Sequence, residues 1–252
     1  MSEPLIDIVA APDRPGVSRW QAVAAPGAVA GVASLRRILP PGDAELRLHV
    51  RPEWRRRGIG SRLLAAVREQ TGGPRLLADV AAGSPGEAFC RRHGFRHLGS
   101  RRHDLLTYCD VHQAWLGELV DAEHPGYRLS RWTGDLPDTP TVQDLLAGPS
   151  GPGNALLAAA DADGDLAAYG LAIVGELAQP RARQYGPAVL PGHRGRRLGL
   201  WVGAALIQRL HEVHPHVTEI ETATAEDDAH PLAAHRHLGF RLLRRTHLYE
   251  KS

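Results

Sequence analysis

Lysine is almost missing from this sequence. Lys251 is the only one, and arginine carries the rest of the positive charge. Cysteine is nearly as scarce: Cys90 and Cys109 have neither metal-ligand spacing nor the density of a disulfide framework, which excludes a cysteine-stapled scaffold. No apolar run approaches the roughly 18 residues a membrane helix needs. Met1-Ser2-Glu3-Pro4 also lacks the basic start and apolar stretch of a signal peptide. Aromatic residues make up 5 %, and no stacking platform accompanies the basic run Arg55-Arg56-Arg57, so nucleic acid is not an expected partner. A formal charge of +2 is too small to call for a nucleic-acid or membrane surface. The expectation is a soluble cytoplasmic protein, a monomer or a homodimer, with a small-molecule partner.

What is present is ordinary globular material, 43 % hydrophobic and 23 % charged, and 252 residues allow one large domain or two small ones. The chain is organised around the stretch from Leu46 to Leu64. Leu46, Leu48 and Val50 alternate as the inward face of a strand. Pro52 ends the ladder because it has no N–H to give. Gly58 and Gly60 allow a close backbone approach, and Leu63, Leu64 and Val67 recur at helical spacing. A strand, a glycine turn and a helix start aim free amides and the positive end of a helix dipole at one point, which suits a phosphate. Three neighbouring arginines add charge-assisted donors. The spacing is neither that of a Walker loop, since Ser61-Arg62 follows Gly60 where a lysine is required, nor of a three-glycine dinucleotide fingerprint.

Arg55-x-x-Gly58-x-Gly60 after a strand ending in Val-x-Pro resembles the pyrophosphate-binding motif of the GCN5-related N-acetyltransferase (GNAT) superfamily. A second match follows in order: Ala88-Phe89-Cys90-Arg91-Arg92-His93-Gly94-Phe95 is similar to the helix and Gly-Phe step after the fifth strand of that family. Glycine and proline signals predict strands at 5–10, two around Ala25-Pro26-Gly27-Ala28, one at 44–50 and one at 75–80. Helices are predicted near 58–70 and 85–93, and then a strand pair at 96–100 and 102–109. The one or two helices such domains place after the first strand have no room between Ala11 and Ser18.

The pattern then repeats. Val189-Leu190-Pro191-Gly192-His193-Arg194-Gly195-Arg196-Arg197-Leu198-Gly199-Leu200 parallels Val50 to Ser61 without a gap, and Leu238-Gly239-Phe240 parallels His93-Gly94-Phe95. The resemblance therefore implies an α+β protein of two tandem GNAT-type domains, at 1–109 and 127–252 with a connector at 110–126. Each would have a mixed, mostly antiparallel sheet flanked by helices, with the early helices reduced. It implies acetyl-CoA as co-substrate. The expected cofactor contacts are Leu48, Val50, Arg55, Arg56, Arg57, Gly58, Ile59, Gly60 and Ser61 in the first copy. In the second they are Val189, Arg194, Gly195, Arg196, Arg197, Leu198, Gly199 and Leu200. Arg197 stands where the first copy has Gly58, and the loop is strained there if the turn needs a positive φ.

Acetyl transfer to an amine needs a group to take the amine proton and benefits from a donor to the leaving thiolate. The family's strand glutamate falls on Glu45 in the first copy and on Gln184 in the second. The family's helix tyrosine falls on Cys90 and on His235. Glu45 as base and His235 as donor are the catalytic candidates, although Glu45 equally suits an ion pair with Arg47 or Arg36. His211, His214 and His216 lack metal-site spacing because Pro215 breaks the helix. The expected activity is acetyl-CoA-dependent N-acetylation of a small-molecule primary amine. The alternative is an acyl-CoA-binding scaffold in which one or both copies have lost catalysis.

Overall fold

The structure, a computed structural model, describes residues 6–14, 17–38, 43–71, 75–137, 141–175 and 180–252. They fall into two compact units. One lies within Met1–Leu98 and His247–Ser252, the other within Gly99–Leu136 and Thr141–Thr246.

The first unit begins with β1 (Ile6–Arg14), β2 (Val17–Ala24), β3 (Ala28–Ile38) and β4 (Asp43–Val50), an antiparallel meander. Helix α1 (Ile59–Thr71) crosses over to β5 (Arg75–Val80), which runs parallel to β4. Helix α2 (Pro85–Arg92) follows. It starts where the sequence supplies every N-terminal device: the Ser84 side chain accepts from the Glu87 amide, Pro85 sits in the first turn and Glu87 faces the dipole. Gly94, at φ 70°, ends it. The last strand of this sheet comes from the far end of the chain: the His247–Lys251 end of β12 (Arg241–Lys251) pairs antiparallel with β5. Among the described residues no helix separates β1 from β2. Ile59, Leu63, Leu64 and Val67 of α1 pack with Leu35, Leu46, Leu76 and Tyr249 into one core, which Phe95 and Cys90 join from the side of α2.

The second unit repeats the plan. Strands β7 (Arg128–Gly134), β8 (Ala155–Ala162), β9 (Asp165–Val174) and β10 (Arg181–Val189) form the meander. Helix α5 (Leu198–Val213) leads to β11 (Glu219–Ala225), parallel to β10, and α6 (Ala229–His237) follows. The closing strand is β6 (Arg96–Thr107), whose Arg101–Thr107 part pairs antiparallel with β11. The expected pair of strands at 96–100 and 102–109 is thus a single strand, because Gly99-Ser100 does not turn the chain. The connector carries α3 (Gln113–Asp121), fixed to α5 by the Trp201 indole donating to the Val120 carbonyl at 2.9 Å. Among the described residues the one early helix is short: α4 (Val142–Ala147), opened by a Thr141–Asp144 capping box. Alanine-rich β8 is buried along nearly its whole length, and ten residues of α5 are buried.

Candidate functional sites

Each unit holds one parallel strand pair, and in both the pair parts. Strand β4 pairs with β5 only at Asp43↔Arg75, Ala44↔Leu76 and Glu45↔Leu77, although the strands continue to Val50 and Val80. Strand β10 pairs with β11 from Arg181↔Glu219 to Gln184↔Thr222, and they run on unpaired to Val189 and Ala225. Backbone donors and acceptors left without a ladder partner invite an extended chain carrying amides. These two clefts were not readable from spacing, because nothing in a strand's own pattern tells where its neighbour departs.

Both clefts open onto the loops singled out in the sequence. After β4 comes a single 3-10 turn at Pro52–Trp54, and after β10 its counterpart at Pro191–His193. Two left-handed residues follow in each copy, Arg56 (φ 65°) and Gly58 (φ 76°) in one, Gly195 (φ 78°) and Arg197 (φ 59°) in the other. The turn therefore needs a positive φ at both positions, and each copy meets it with one glycine and one arginine. The amides of Ile59, Gly60 and Ser61, and of Leu198 and Gly199, find no acceptor among the described residues, and Arg197 gives α5 no side-chain cap. That leaves a cradle for an anion at each helix start.

The remaining loop residues divide between holding the cradle and holding the core. Arg55 and Arg194 turn back, donating from Nε to the Val50 and Val189 carbonyls at 3.1 and 3.5 Å. Ile59 and Leu198 are buried anchors, while Leu48, Val50, Val189 and Leu200 pack on the two cores. Gly60 and Gly199 are packing residues: a Cβ would come within 3.0 Å of Phe89 and 3.2 Å of Val189. The Ser61 hydroxyl lies 3.0 Å from His93 Nε2. Arg57 lies over the Trp54 ring, whereas Arg196 donates to the Tyr127 hydroxyl at 2.6 Å, which in turn lies 3.0 Å from His193 Nδ1.

The catalytic candidates sit at the cleft roots. Glu45 is the last paired residue of β4 and is ion-paired with Arg47 at 3.0 Å. Cys90 is buried, and burial, reinforced by Glu87, pushes its thiol up to about 11, so it is no proton donor at neutral pH. His235 is 1 % exposed and bridges the parted strands. Nε2 lies 3.1 Å from the Gly186 carbonyl of β10, and Nδ1 lies 3.5 Å from the Thr224 hydroxyl of β11. A carbonyl only accepts, so the proton is on Nε2, and burial lowers the pKa and keeps the ring neutral. The register of Gln184 differs from the expected one. Strand β10 carries a bulge between Tyr185 and Ala188 that β4 lacks, so Gln184 turns to the helix side and Arg183 takes the side that Glu45 occupies.

A mostly antiparallel sheet with one parallel pair, parting toward an uncapped helix start and built twice, defines the tandem GNAT fold. Residues 18–97 match the family model for the acetyltransferase (GNAT) domain, and the chain as a whole has the fold of a tandem GNAT protein. Among solved structures it is similar to a tandem GNAT protein from the clavulanic acid biosynthesis pathway. The identity is 25 %, the TM-score 0.64, and the match covers 93 % of this chain and 82 % of that one. In fold it is also similar to an N-acetyltransferase-like protein from Streptococcus suis (13 %, TM-score 0.61, covering 88 % and 84 %). A third likeness is to a GCN5-related N-acetyltransferase from Sphaerobacter thermophilus (16 %, TM-score 0.56, covering 92 % and 80 %). No curated protein matches the chain. The acetyltransferase domain supports acyl transfer from acetyl-CoA as the general activity. No helix among the described residues is long and apolar enough to cross a membrane.

Proposed function

We propose that the protein is an acetyl-CoA-dependent N-acetyltransferase that transfers the acetyl group to a primary amine of a small molecule by direct attack on the thioester. The observation that supports this most is the coincidence, in both units, of a parted strand pair with a left-handed turn and uncapped helix amides. The amides suit the pyrophosphate and the cleft suits the amide-bearing arm of the cofactor. In the attack the N–C bond forms as the C–S bond breaks, and the amine must be neutral beforehand. Glu45 stands at the root of one cleft as a base for that proton, with Arg47 holding its carboxylate in place. His235 stands in the other cleft with its Nε2 proton directed at a carbonyl, a position better suited to setting the gap between strands than to protonating a thiolate. Among the described residues neither cleft combines a base with a donor, which favours different roles for the two copies. The protein would act in the cytoplasm as a monomer or homodimer, without nucleic-acid or membrane partners.

Thermal-shift titration with acetyl-CoA, followed by thiol release across a panel of amines, tests the proposal. Acetyl-CoA should raise the melting temperature. Gly58→Glu and Arg197→Glu, which place a carboxylate at the cradles, should each weaken binding to one copy. If acetyl-CoA leaves the wild type unshifted and neither substitution changes anything, the cofactor assignment fails.

A further inference from the structure

Strand β10 carries two buried polar atoms, one on either side of the backbone, that have no partner among the described residues. Gln184 is 2 % exposed; its Nε2 donates to the Gly186 carbonyl at 3.4 Å while its Oε1 meets no donor, and the Tyr185 hydroxyl next to it is likewise unpartnered. An unsatisfied buried polar group costs about 1–3 kcal/mol, so two on consecutive residues call for an explanation. Neighbouring residues of a strand face opposite ways. Gln184 shares the side of Ala182, which packs with α5, and the cleft to β11 opens immediately after it. Tyr185 faces away from α5, at the end of a row that crosses the sheet as Trp132, Leu157, Leu171 and Tyr185. The first three are buried and apolar. The corresponding row of the first unit reads Ala11, Arg19, Ser34 and Arg47, polar after its first residue and ending in the ion pair of Arg47 with Glu45.

Building on the acetyltransferase reading, we infer that the second copy also admits an acceptor, with Tyr185 as its hydrogen-bonding contact and Gln184 Oε1 accepting from an N–H of the thioester arm. The two orphaned atoms thus take one substrate each, from opposite faces of the bulged strand.

Tyr185→Phe tests this, because the hydroxyl has no protein partner to lose. Its expected effect is a rise in KM for the amine of about fivefold to tenfold, the worth of one neutral hydrogen bond. KM for acetyl-CoA should be unchanged and the ligand-free melting temperature no lower. Gln184→Met should instead weaken acetyl-CoA with little effect on the amine. Ser34→Ala, in the matching row of the first unit, should leave both constants alone. A Tyr185→Phe protein that melts earlier but turns over normally would show a structural hydroxyl and overturn the inference. So would a KM shift confined to Ser34→Ala. If the wild type releases no thiol with any amine and binds no acetyl-CoA, the acetyltransferase reading itself falls, and the inference with it.

Discussion

The two loops reach one backbone conformation with glycine and arginine in exchanged places. The first copy puts Arg56 before Gly58 in its pair of left-handed positions, and the second puts Gly195 before Arg197. Each loop therefore carries one unfavourable residue, and neither is the degenerate version of the other. What separates the copies lies behind the loops. The first has an unbroken β4 and an ion-paired outer row, while the second has a bulged β10 and an apolar row ending in a phenol. The loop conformation is present in duplicate, while the outer faces of the two sheets differ.

The sharpest break in the comparison concerns the closing strands. The first unit is completed by the chain's last residues, so its core depends on Tyr249, which is 2 % exposed and donates its hydroxyl to Glu87 at 3.0 Å. Tyr249→Ala should cost about 3–5 kcal/mol, the usual penalty for emptying a large aromatic site. Urea unfolding should show the loss chiefly in the first unit, along with weakened protection of β5. A chain ending at Thr246 that kept the full unfolding midpoint would show that this strand contributes nothing.

A second test separates two buried carboxylates, both held at about 2. Glu87 is lowered first by the Gly83 amide at 2.6 Å and then by the Tyr249 hydroxyl, largely uncharged donors. Glu221 is lowered first by its bond to His103 and then by Arg244 at 2.5 Å. Each folded-state value lies below the usual carboxylate range. The stabilisation is thus fully present above about pH 4.5 and is lost as pH falls toward 2. Glu87→Gln should flatten part of the acid unfolding slope. Added salt should weaken the contribution of Glu221 more than that of Glu87, because Arg244 ranks high among the groups that lower Glu221, whereas the Arg91 pair at 2.7 Å comes last among those that lower Glu87. Equal salt sensitivity in Glu87→Gln and wild type would contradict this division.

Much of this was legible in the sequence because it is local. Glycine and proline punctuation, the alternation of Leu46, Leu48 and Val50, and the caps around α2 and α4 each act within a few residues. The ungapped repeat then carried the loop assignment from one copy to the other. What was not legible depends on neighbours far along the chain. The exchange of closing strands, the parting of the parallel pairs and the bulge that turns Gln184 inward are decided by which strand lies alongside, and period-two patterning is blind to that. A second role of Gly60 was hidden for the same reason: a Cβ there would come within 3.0 Å of Phe89 of α2.

The equivalence of the two loops is tested most directly by the smallest of these effects. If the loops are equivalent solutions, relieving the arginine in either copy should help by a similar amount. The left-handed conformation costs an L-residue about 1–2 kcal/mol, part of which is returned when glycine loosens the unfolded chain. Arg56→Gly and Arg197→Gly should therefore each raise stability by up to about 1 kcal/mol, measured by urea unfolding. Gly58→Ala and Gly195→Ala should each lower it by about as much, since nothing lies within 4 Å to hinder a Cβ and only the backbone resists. Arg197→Gly must also give up whatever its guanidinium offers an anion. A gain in stability together with weaker acetyl-CoA binding would show that this arginine is retained in a strained position for the ligand. A gain with unchanged binding would assign the cradle to backbone amides alone, in both copies.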